Sequence, residues 1–226
     1  MKATWVGLAV FATATALASD HNNLDHNRPL VLEDAYSIAF GEREFQTGFS
    51  LSSFRKNKPS YAYRAEYQYG FAKNKDISVA YDTLFGNGGN GYELSYFETI
   101  RREVNDAPAL GYRFGFERQG GRNSWNGTVA LTKAWHQYDK LHFNLRLDTL
   151  QAPGYVLGYS SPVGYPKSFD KTMIAELVFQ SGATSVGLGM RKQLDAQAVL
   201  DAGLQLGLAG SSQSPIRFVI GYSIGF

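Results

Sequence analysis

The fold class is decided by the last eleven residues of the chain, which read Ile216-Arg217-Phe218-Val219-Ile220-Gly221-Tyr222-Ser223-Ile224-Gly225-Phe226. Every second residue from Ile216 is apolar, whereas those between are charged, polar or small, with Val219 as the exception. A period of two with unlike faces is typical of a β-strand. A tilted strand of about 9–11 residues can also cross a bilayer. The stretch therefore predicts a strand, either in a soluble sheet with one buried face or in a membrane barrel.

The same alternation recurs along most of the chain, and no stretch after the first eighteen residues predicts a helix. Together with the terminal strand it predicts twelve strands, at residues 44–51, 61–71, 77–85, 92–100, 110–118, 128–136, 141–149, 155–161, 173–180, 185–192, 199–208 and 216–226. A single-chain bacterial barrel requires an even number of strands. An error of one hairpin would give ten or fourteen.

Residues 1–18 have the features of a secretory signal peptide. Lys2 precedes an alanine-rich apolar stretch that ends in Ala16-Leu17-Ala18, a small-x-small cleavage sequence. The alternative, a transmembrane helix, is disfavoured because the run is shorter than the ~20 residues that a span needs. We expect the mature chain to begin at Ser19, with residues 19–43 as a periplasmic or plug segment and residues 44–226 as the barrel.

Composition and motifs exclude several classes of function. The formal net charge is +2 and there is no long run of basic residues, so no nucleic-acid partner is predicted. The chain has no cysteine. It also lacks a glycine-rich phosphate loop, zinc-ligand spacing and a redox motif, so neither a cofactor nor a metal is expected.

Alternation alone does not tell which face of a barrel is inside. A soluble barrel buries its apolar face, whereas a membrane barrel turns that face to lipid. The membrane version is favoured by the signal peptide, the terminal phenylalanine and the uniformly apolar, aromatic face. Aromatic residues recur near strand ends, where interfacial girdles lie, at Tyr61, Phe71, Phe85, Tyr92, Tyr222 and Phe226. An open sheet edge in hydrocarbon would leave unpaired amides. We therefore predict a closed, antiparallel, up-and-down transmembrane β-barrel in the outer membrane of a Gram-negative bacterium, with membrane lipids around it.

The breaks between strands can then be assigned to the two sides of the membrane. Breaks rich in glycine and asparagine at residues 86–91 and 119–127 are predicted as outer loops. The breaks at 72–76, 137–140 and 194–197 are predicted as short periplasmic turns.

The polar face of the strands is predicted to line the lumen. It carries charges of both signs in similar number, at Arg64, Glu66, Asp82, Glu93, Arg113, Glu117, His142, Arg146, Asp148, Glu176, Arg191, Asp201 and Arg217. Such a wall fits either a water-filled path or a closed core of paired charges, and a twelve-stranded barrel has an intermediate width. Glycines at 187, 189, 203, 207, 221 and 225 leave space on one wall, which favours a narrow or gated path.

Two parts of the sequence resemble bacterial outer-membrane proteins. The stretch Arg28-Pro29-Leu30-Val31-Leu32-Glu33-Asp34-Ala35, with Gly41 and Glu44-Phe45 beyond it, resembles the barrel family named for the MetA pathway of phenol degradation. Leu32 departs from that pattern, where a polar residue such as threonine is expected. The resemblance implies a transporter of small solutes, including aromatic or hydrophobic ones. The closing strand resembles those whose terminal aromatic belongs to an assembly signal, which implies that the barrel-assembly machinery reads Tyr222 and Phe226.

The leading hypothesis is a porin-like channel or transporter for a small-molecule solute, without catalysis. The alternative is an outer-membrane enzyme that modifies lipid or lipopolysaccharide, which needs a nucleophile and a base within hydrogen-bond reach. His142 is the candidate base, but its next same-face neighbour along the strand is Asn144 and not a serine. An adhesive barrel would need long outer loops, which the spacing does not provide. Residues 28–35 are expected either to pack under the barrel or into its mouth, or to act as a plug or gate.

Overall fold

The computed structural model of the protein describes residues 24, 28–53, 59–85, 89–136, 138–164, 170–210 and 216–226. Across these residues the chain forms twelve strands: β1 Arg43–Ser53, β2 Ser60–Ala72, β3 Lys75–Phe85, β4 Gly89–Arg101, β5 Ala109–Gln119, β6 Arg122–Ala134, β7 Lys140–Asp148, β8 Gly154–Val163, β9 Lys171–Gln180, β10 Ala183–Gln193, β11 Ala198–Ala209 and β12 Ile216–Gly225. No helix in the described part is long and apolar enough to cross a membrane. The expected signal peptide lies outside the described residues.

The twelve strands form one closed barrel in which each strand is antiparallel to both of its neighbours. β1 closes the barrel by pairing with β2 on one side and β12 on the other, so that Phe49 lies opposite Tyr63 and opposite Ile220. The strands are 9–13 residues long, which matches the length that crosses a bilayer when tilted. The predicted architecture and the predicted number of strands are confirmed.

The barrel has two unlike rims. The rim that carries Arg43 and Phe226 is called the terminal rim, and the opposite one the distal rim. At the terminal rim, the backbone N–H of Phe226 donates to the Arg43 carbonyl oxygen at 2.8 Å, and the Arg43 N–H donates to the Phe226 oxygen at 3.2 Å. The closing strand is therefore paired to its last residue.

One of the outer loops predicted from the sequence does not form. Residues 119–127 were expected as a loop, but β5 extends to Gln119 and β6 begins at Arg122. The connection consists of Gly120 and Gly121, which adopt positive φ angles of 55° and 81°. Because glycine accepts this conformation without strain, a two-residue hairpin turn forms, and the residues beyond it pair with β5.

The apolar side chains divide between the outside and the inside of the barrel. The outer face exposes large apolar residues such as Val79, Leu94 and Leu188, as expected for a surface that contacts lipid. The principal buried apolar cluster lies in the lumen and contains Leu24, Leu30, Val31, Leu32, Val156, Ile174 and Val178. Part of it comes from residues that precede β1, so the lumen is partly filled by the amino-terminal part of the chain.

Candidate functional site

Residues 28–42 form an inner segment that lies within the barrel as far as Ile38 and is exposed at residues 39–41, at the terminal rim, before β1 begins. Arg28 fixes its start, because its guanidinium donates to the carbonyl oxygens of Thr47 at 2.8 Å and Tyr222 at 2.9 Å. The same guanidinium forms a buried ion pair with Asp201, with an N–O distance of 3.1 Å. The inner segment therefore begins where β1, β12 and β11 meet.

The backbone of the inner segment is held by side chains of the barrel wall. The N–H groups of Val31 and Leu32 both donate to Glu176 Oε2 on β9, each at 2.9 Å. On β7, Asn144 accepts from the N–H of Glu33 at 2.8 Å and donates to its carbonyl oxygen at 2.7 Å. Because the segment has no neighbouring strand to pair with, these side chains satisfy backbone groups that would otherwise be buried without a partner.

The same kind of contact continues along the rest of the inner segment. Its N–H groups donate to wall side chains in the order Ala35 to Thr132 on β6 at 3.0 Å, Ser37 to Thr99 on β4 at 2.9 Å, and Ile38 to Asp76 on β3 at 3.2 Å. The wall strands are thus met in descending order, from β11 to β3, before the chain enters β1. The segment follows the inner wall around the barrel instead of passing straight through its centre.

Glycines on the wall allow the inner segment to lie close to it. A Cβ at Gly158 would overlap the side chain of Leu32, which is fully buried. The glycines at 187, 189, 203 and 221 likewise face Arg28, Pro29 or Leu30. The space that these glycines leave, which the sequence suggested as room for a path, is occupied at these four positions by the inner segment or by side chains of the wall.

Tyr36 lies on the inner segment and is half-buried. Its ring packs against the buried cluster of Ala35, Ala109 and Ala130, and the Lys140 ammonium lies 5.6 Å from its centre. Burial, together with the nearby carboxylates of Glu103 and Asp34, raises the pKa of the Tyr36 hydroxyl. The phenol therefore adds no negative charge to the lumen at neutral pH.

One group of lumen charges is tied together by Arg64. Its guanidinium forms ion pairs with Glu66 at 2.9 Å, Asp82 at 2.8 Å and Glu93 at 2.8 Å. Since one arginine faces three carboxylates, this side of the lumen has an excess of negative charge.

A second paired group joins the barrel wall to the inner segment. Arg113 Nε donates to Glu33 Oε1 at 2.6 Å, and its Nη1 donates to Ser95 Oγ at 2.8 Å. The guanidinium also stacks over the ring of Phe97, with 5.2 Å between its carbon and the ring centre. Arg113 and Glu33 are both buried, so the pair acts as an internal clamp.

Towards the distal rim the lumen contains a cavity of about 340 Å³, called the distal cavity. Polar side chains line most of it, among them Asn126, Thr128, Arg146, Asp148, Gln180 and Arg217. Gln151, which follows β7 in the connection at the distal rim, also lines the cavity. The cavity therefore extends from the rim down to the inner segment, whose Val31 forms part of its floor.

His142 has hydroxyl partners on both ring nitrogens. Nδ1 lies 3.1 Å from Thr132 Oγ1, and Nε2 lies 2.9 Å from Ser160 Oγ. The Thr132 oxygen also accepts the Ala35 N–H, and between two hydroxyl groups the imidazole can donate from either ring nitrogen. All three side chains are buried.

The residues assigned to the lumen from the sequence alternate with the lipid-facing residues and occupy the inner face of their strands. The structure separates them into several groups. Arg64 lies with Glu66, Asp82 and Glu93, and Glu117 lies opposite Glu93 on the neighbouring strand. Arg113 contacts Glu33, His142 lies between its hydroxyl partners, Glu176, Arg191 and Asp201 lie at the start of the inner segment, and Arg146, Asp148 and Arg217 line the distal cavity. Tyr222 lies on the outer face of β12, and Phe226, which follows β12, has its ring centre 6.4 Å from that of Tyr67.

Several important contacts were not predicted from the sequence. Asn144, Thr132 and Thr99 are wall residues whose partners lie 62–111 residues away along the chain. Ser160, the partner of His142, lies on the neighbouring strand β8, so the spacing of residues along β7 could not indicate it. The sequence signal that could have found these residues is their place on the polar face of strands that alternation already defined.

Solved structures similar to this chain are outer-membrane barrels. The KdgM porin is 14% identical with a TM-score of 0.63, and the match covers 81% of this chain and 99% of that one. The KdgM porin in complex with disordered oligogalacturonate is 14% identical with a TM-score of 0.61, and the match covers 82% of this chain and 99% of that one. The outer membrane protein Omp33 of Acinetobacter baumannii is 10% identical with a TM-score of 0.56, and the match covers 82% and 99%. The chain therefore has the porin-like, outer-membrane β-barrel fold.

No family model and no curated protein matches the chain. The porin-like fold is confirmed, whereas the narrower resemblance to the phenol-degradation family is not.

Proposed function

We propose that the protein is a porin-like channel of the bacterial outer membrane that passes small solutes through a narrow lumen. The observation that carries the proposal is the combination of an apolar exterior with a polar lumen that holds a cavity of about 340 Å³. A barrel filled only by packed side chains would not leave such a cavity. The structural neighbours, two of which are named as porins, support the same class of function.

The inner segment is the constriction in this proposal. It lies against the inner wall between the distal cavity and the terminal rim. Side chains of successive wall strands accept hydrogen bonds from its backbone. The terminal rim faces the periplasm, where both ends of a bacterial barrel of even strand number lie. A solute that enters the distal cavity from outside would then meet the inner segment before it reaches the periplasm.

The chemical class of the solute follows from the lining and not from the resemblance. The expectation of aromatic or hydrophobic solutes remains a prediction. Because arginine, aspartate, glutamine and asparagine side chains line the distal cavity, polar solutes fit it better.

An outer-membrane enzyme is the less favoured alternative. His142 and Ser160 are both buried in the lumen, behind the inner segment, whereas a site that acts on lipid should open on the lipid face. The outer-membrane lipids and the assembly machinery are proposed as partners of the exterior and of β12.

Single-channel conductance in a planar bilayer tests the proposal. The mature chain is compared with a variant that lacks residues 24–41 and with a Leu32→Cys/Gly158→Cys double variant, whose disulfide would fasten the inner segment to β8. We expect a small conductance in the intact protein, a larger one after truncation, and no increase in the oxidised double variant. Absence of current in both the intact and the truncated protein would contradict a channel.

A further inference from the structure

Two arginines in the distal cavity differ from the other lumen arginines. Arg146 on β7 and Arg217 on β12 line the same cavity, although four strands, β8 to β11, lie between them along the shorter way around the barrel. Neither guanidinium makes a hydrogen bond or an ion pair with any residue that the structure describes. Arg28, Arg64 and Arg113, by contrast, each have a carboxylate within 3.1 Å.

The charge of the cavity lining is positive by one unit. Its charged residues in the described part of the chain are Arg146, Arg217 and Asp148, and Asp148 Oδ1 accepts the Leu150 N–H at 2.6 Å. The two half-buried guanidiniums therefore have one carboxylate in the lining itself, while Glu176, whose Oε1 accepts from the lining residue Gln205 at 3.3 Å, lies behind the lining and holds the inner segment through Val31 and Leu32. A ligand with one negative charge would neutralise the lining, whereas a dianion would overcompensate it and face Asp148.

Neutral donors lie beside the two arginines. Ser185 Oγ accepts from Gln205 Nε2 at 3.0 Å, which leaves the serine proton available to a ligand. Gln151 accepts from Gln180 Nε2 at 2.9 Å, and its own amide N–H groups remain available. Hydrogen bonds of this kind to an anion add to those from guanidinium groups.

One part of the cavity lining is apolar. Val31 of the inner segment and Val178 of β9 both line it and both belong to the buried apolar cluster. A ligand that reaches the arginines can therefore place a short hydrocarbon part against these valines.

We propose that the distal cavity is a binding site for a small organic monocarboxylate, held by Arg146 and Arg217 with its apolar part on Val31 and Val178. This site rests on the proposed channel function, because it names the class of solute that would bind in the lumen during passage. The carboxylate oxygens bridge two guanidiniums that approach from different sides of the barrel.

Fluorine NMR of trifluoroacetate with the refolded mature protein in non-ionic detergent tests the site. We expect saturable binding that butyrate displaces and that trifluoroacetamide, a neutral analogue, does not. Arg146→Gln and Arg217→Gln should each weaken binding about ten- to a hundredfold, because each removes charge-assisted hydrogen bonds. Arg118→Gln, on the exposed outer face of β5, should leave binding unchanged.

Folding of each variant is checked by heat-dependent gel mobility, and Arg146→Lys, which keeps the charge, should weaken binding less than Arg146→Gln. Equal binding by wild type and both glutamine variants would overturn the proposal, and so would displacement by inorganic phosphate as effective as that by butyrate. The titration needs no current. Binding by a protein that does not conduct would contradict only the channel, and conduction without binding would contradict only this site.

Discussion

At the scale of single residues, the pair of Glu33 and Arg113 is a short, buried charge contact between the inner segment and the wall. Both side chains are nearly fully buried and their N–O distance is 2.6 Å. Glu33→Gln would leave the guanidinium buried without its carboxylate, which costs about 3–5 kcal/mol in comparable pairs. We expect a loss of that order in the free energy of unfolding, measured by urea titration in lipid vesicles.

The matched control for that change is Lys75→Met. Lys75 pairs with Glu98 at 3.4 Å, but its side chain is 39% exposed at the terminal rim. A partly exposed pair contributes at most about 1 kcal/mol. Equal losses in Glu33→Gln and Lys75→Met would contradict the role of the buried clamp.

Gly158 and Leu32 provide a steric test of the same interface. Gly158→Ala should destabilise the protein by about 1–3 kcal/mol, because the added methyl group overlaps the buried Leu32 side chain. Leu32→Ala alone should cost about 2–5 kcal/mol through the cavity it leaves. The double variant should lose less than the sum of the two, as a double-mutant cycle of unfolding free energies would show. Strict additivity would mean that the two residues do not touch.

The sequence was informative at the residue scale only in part. Alternation told which side chains share the inner face, because the period of a strand is fixed by its backbone. It could not tell that Glu176 accepts hydrogen bonds from Val31 and Leu32, since 145 and 144 residues separate these partners. Leu32, which departs from the resembled family pattern, is explained by its buried contact with Gly158.

At the scale of elements, the sequence predicted strands better than their ends. Residues 123–127 continue the alternation of β6, but their glycine and asparagine content indicated a loop. Pairing with β5 decides the outcome, because every residue from Arg122 to Thr132 has a partner there. The local sequence pattern could not predict the path of the inner segment along the wall, because its extended backbone is stabilised by wall side chains and not by a sequence period of its own.

At the end of the closing strand β12, the effect of a side chain on stability can be distinguished from its effect on assembly in cells. The Phe226 ring lies 6.4 Å from that of Tyr67, a contact that contributes about 0.5–1.5 kcal/mol, while the backbone bonds to Arg43 need no side chain. Phe226→Ala should therefore refold in vitro almost as well as the wild type. In cells it should give much less folded barrel, measured by heat-dependent gel mobility, if the assembly machinery reads this residue.

Phe218→Ala is the control for assembly. Phe218 lies on the outer face of β12 and is 41% exposed. A similar reduction of folded barrel in cells by both variants would show that the strand's hydrophobicity matters and that the terminal aromatic has no special role.

At the scale of the whole molecule, closure explains why the number of strands is even, whereas the count of twelve was predicted from alternation. An antiparallel barrel in lipid must pair every edge, and with twelve strands its first and last residues meet at one rim. The inner segment joins the barrel at that rim, whereas the distal cavity reaches the other one. The two ends of the lumen are therefore chemically unlike, and the direction of the barrel in the membrane decides which environment each one meets.

That direction is testable with single cysteines, because the chain has none of its own. Arg122 is exposed beside the short turn at the distal rim, and Ala196 is exposed between β10 and β11 at the terminal rim. In intact cells, a membrane-impermeant maleimide should label Arg122→Cys and should label Ala196→Cys only after the outer membrane is permeabilised. The reverse result would place the inner segment at the cell surface, so that solutes from outside would meet the constriction before the arginines of the distal cavity.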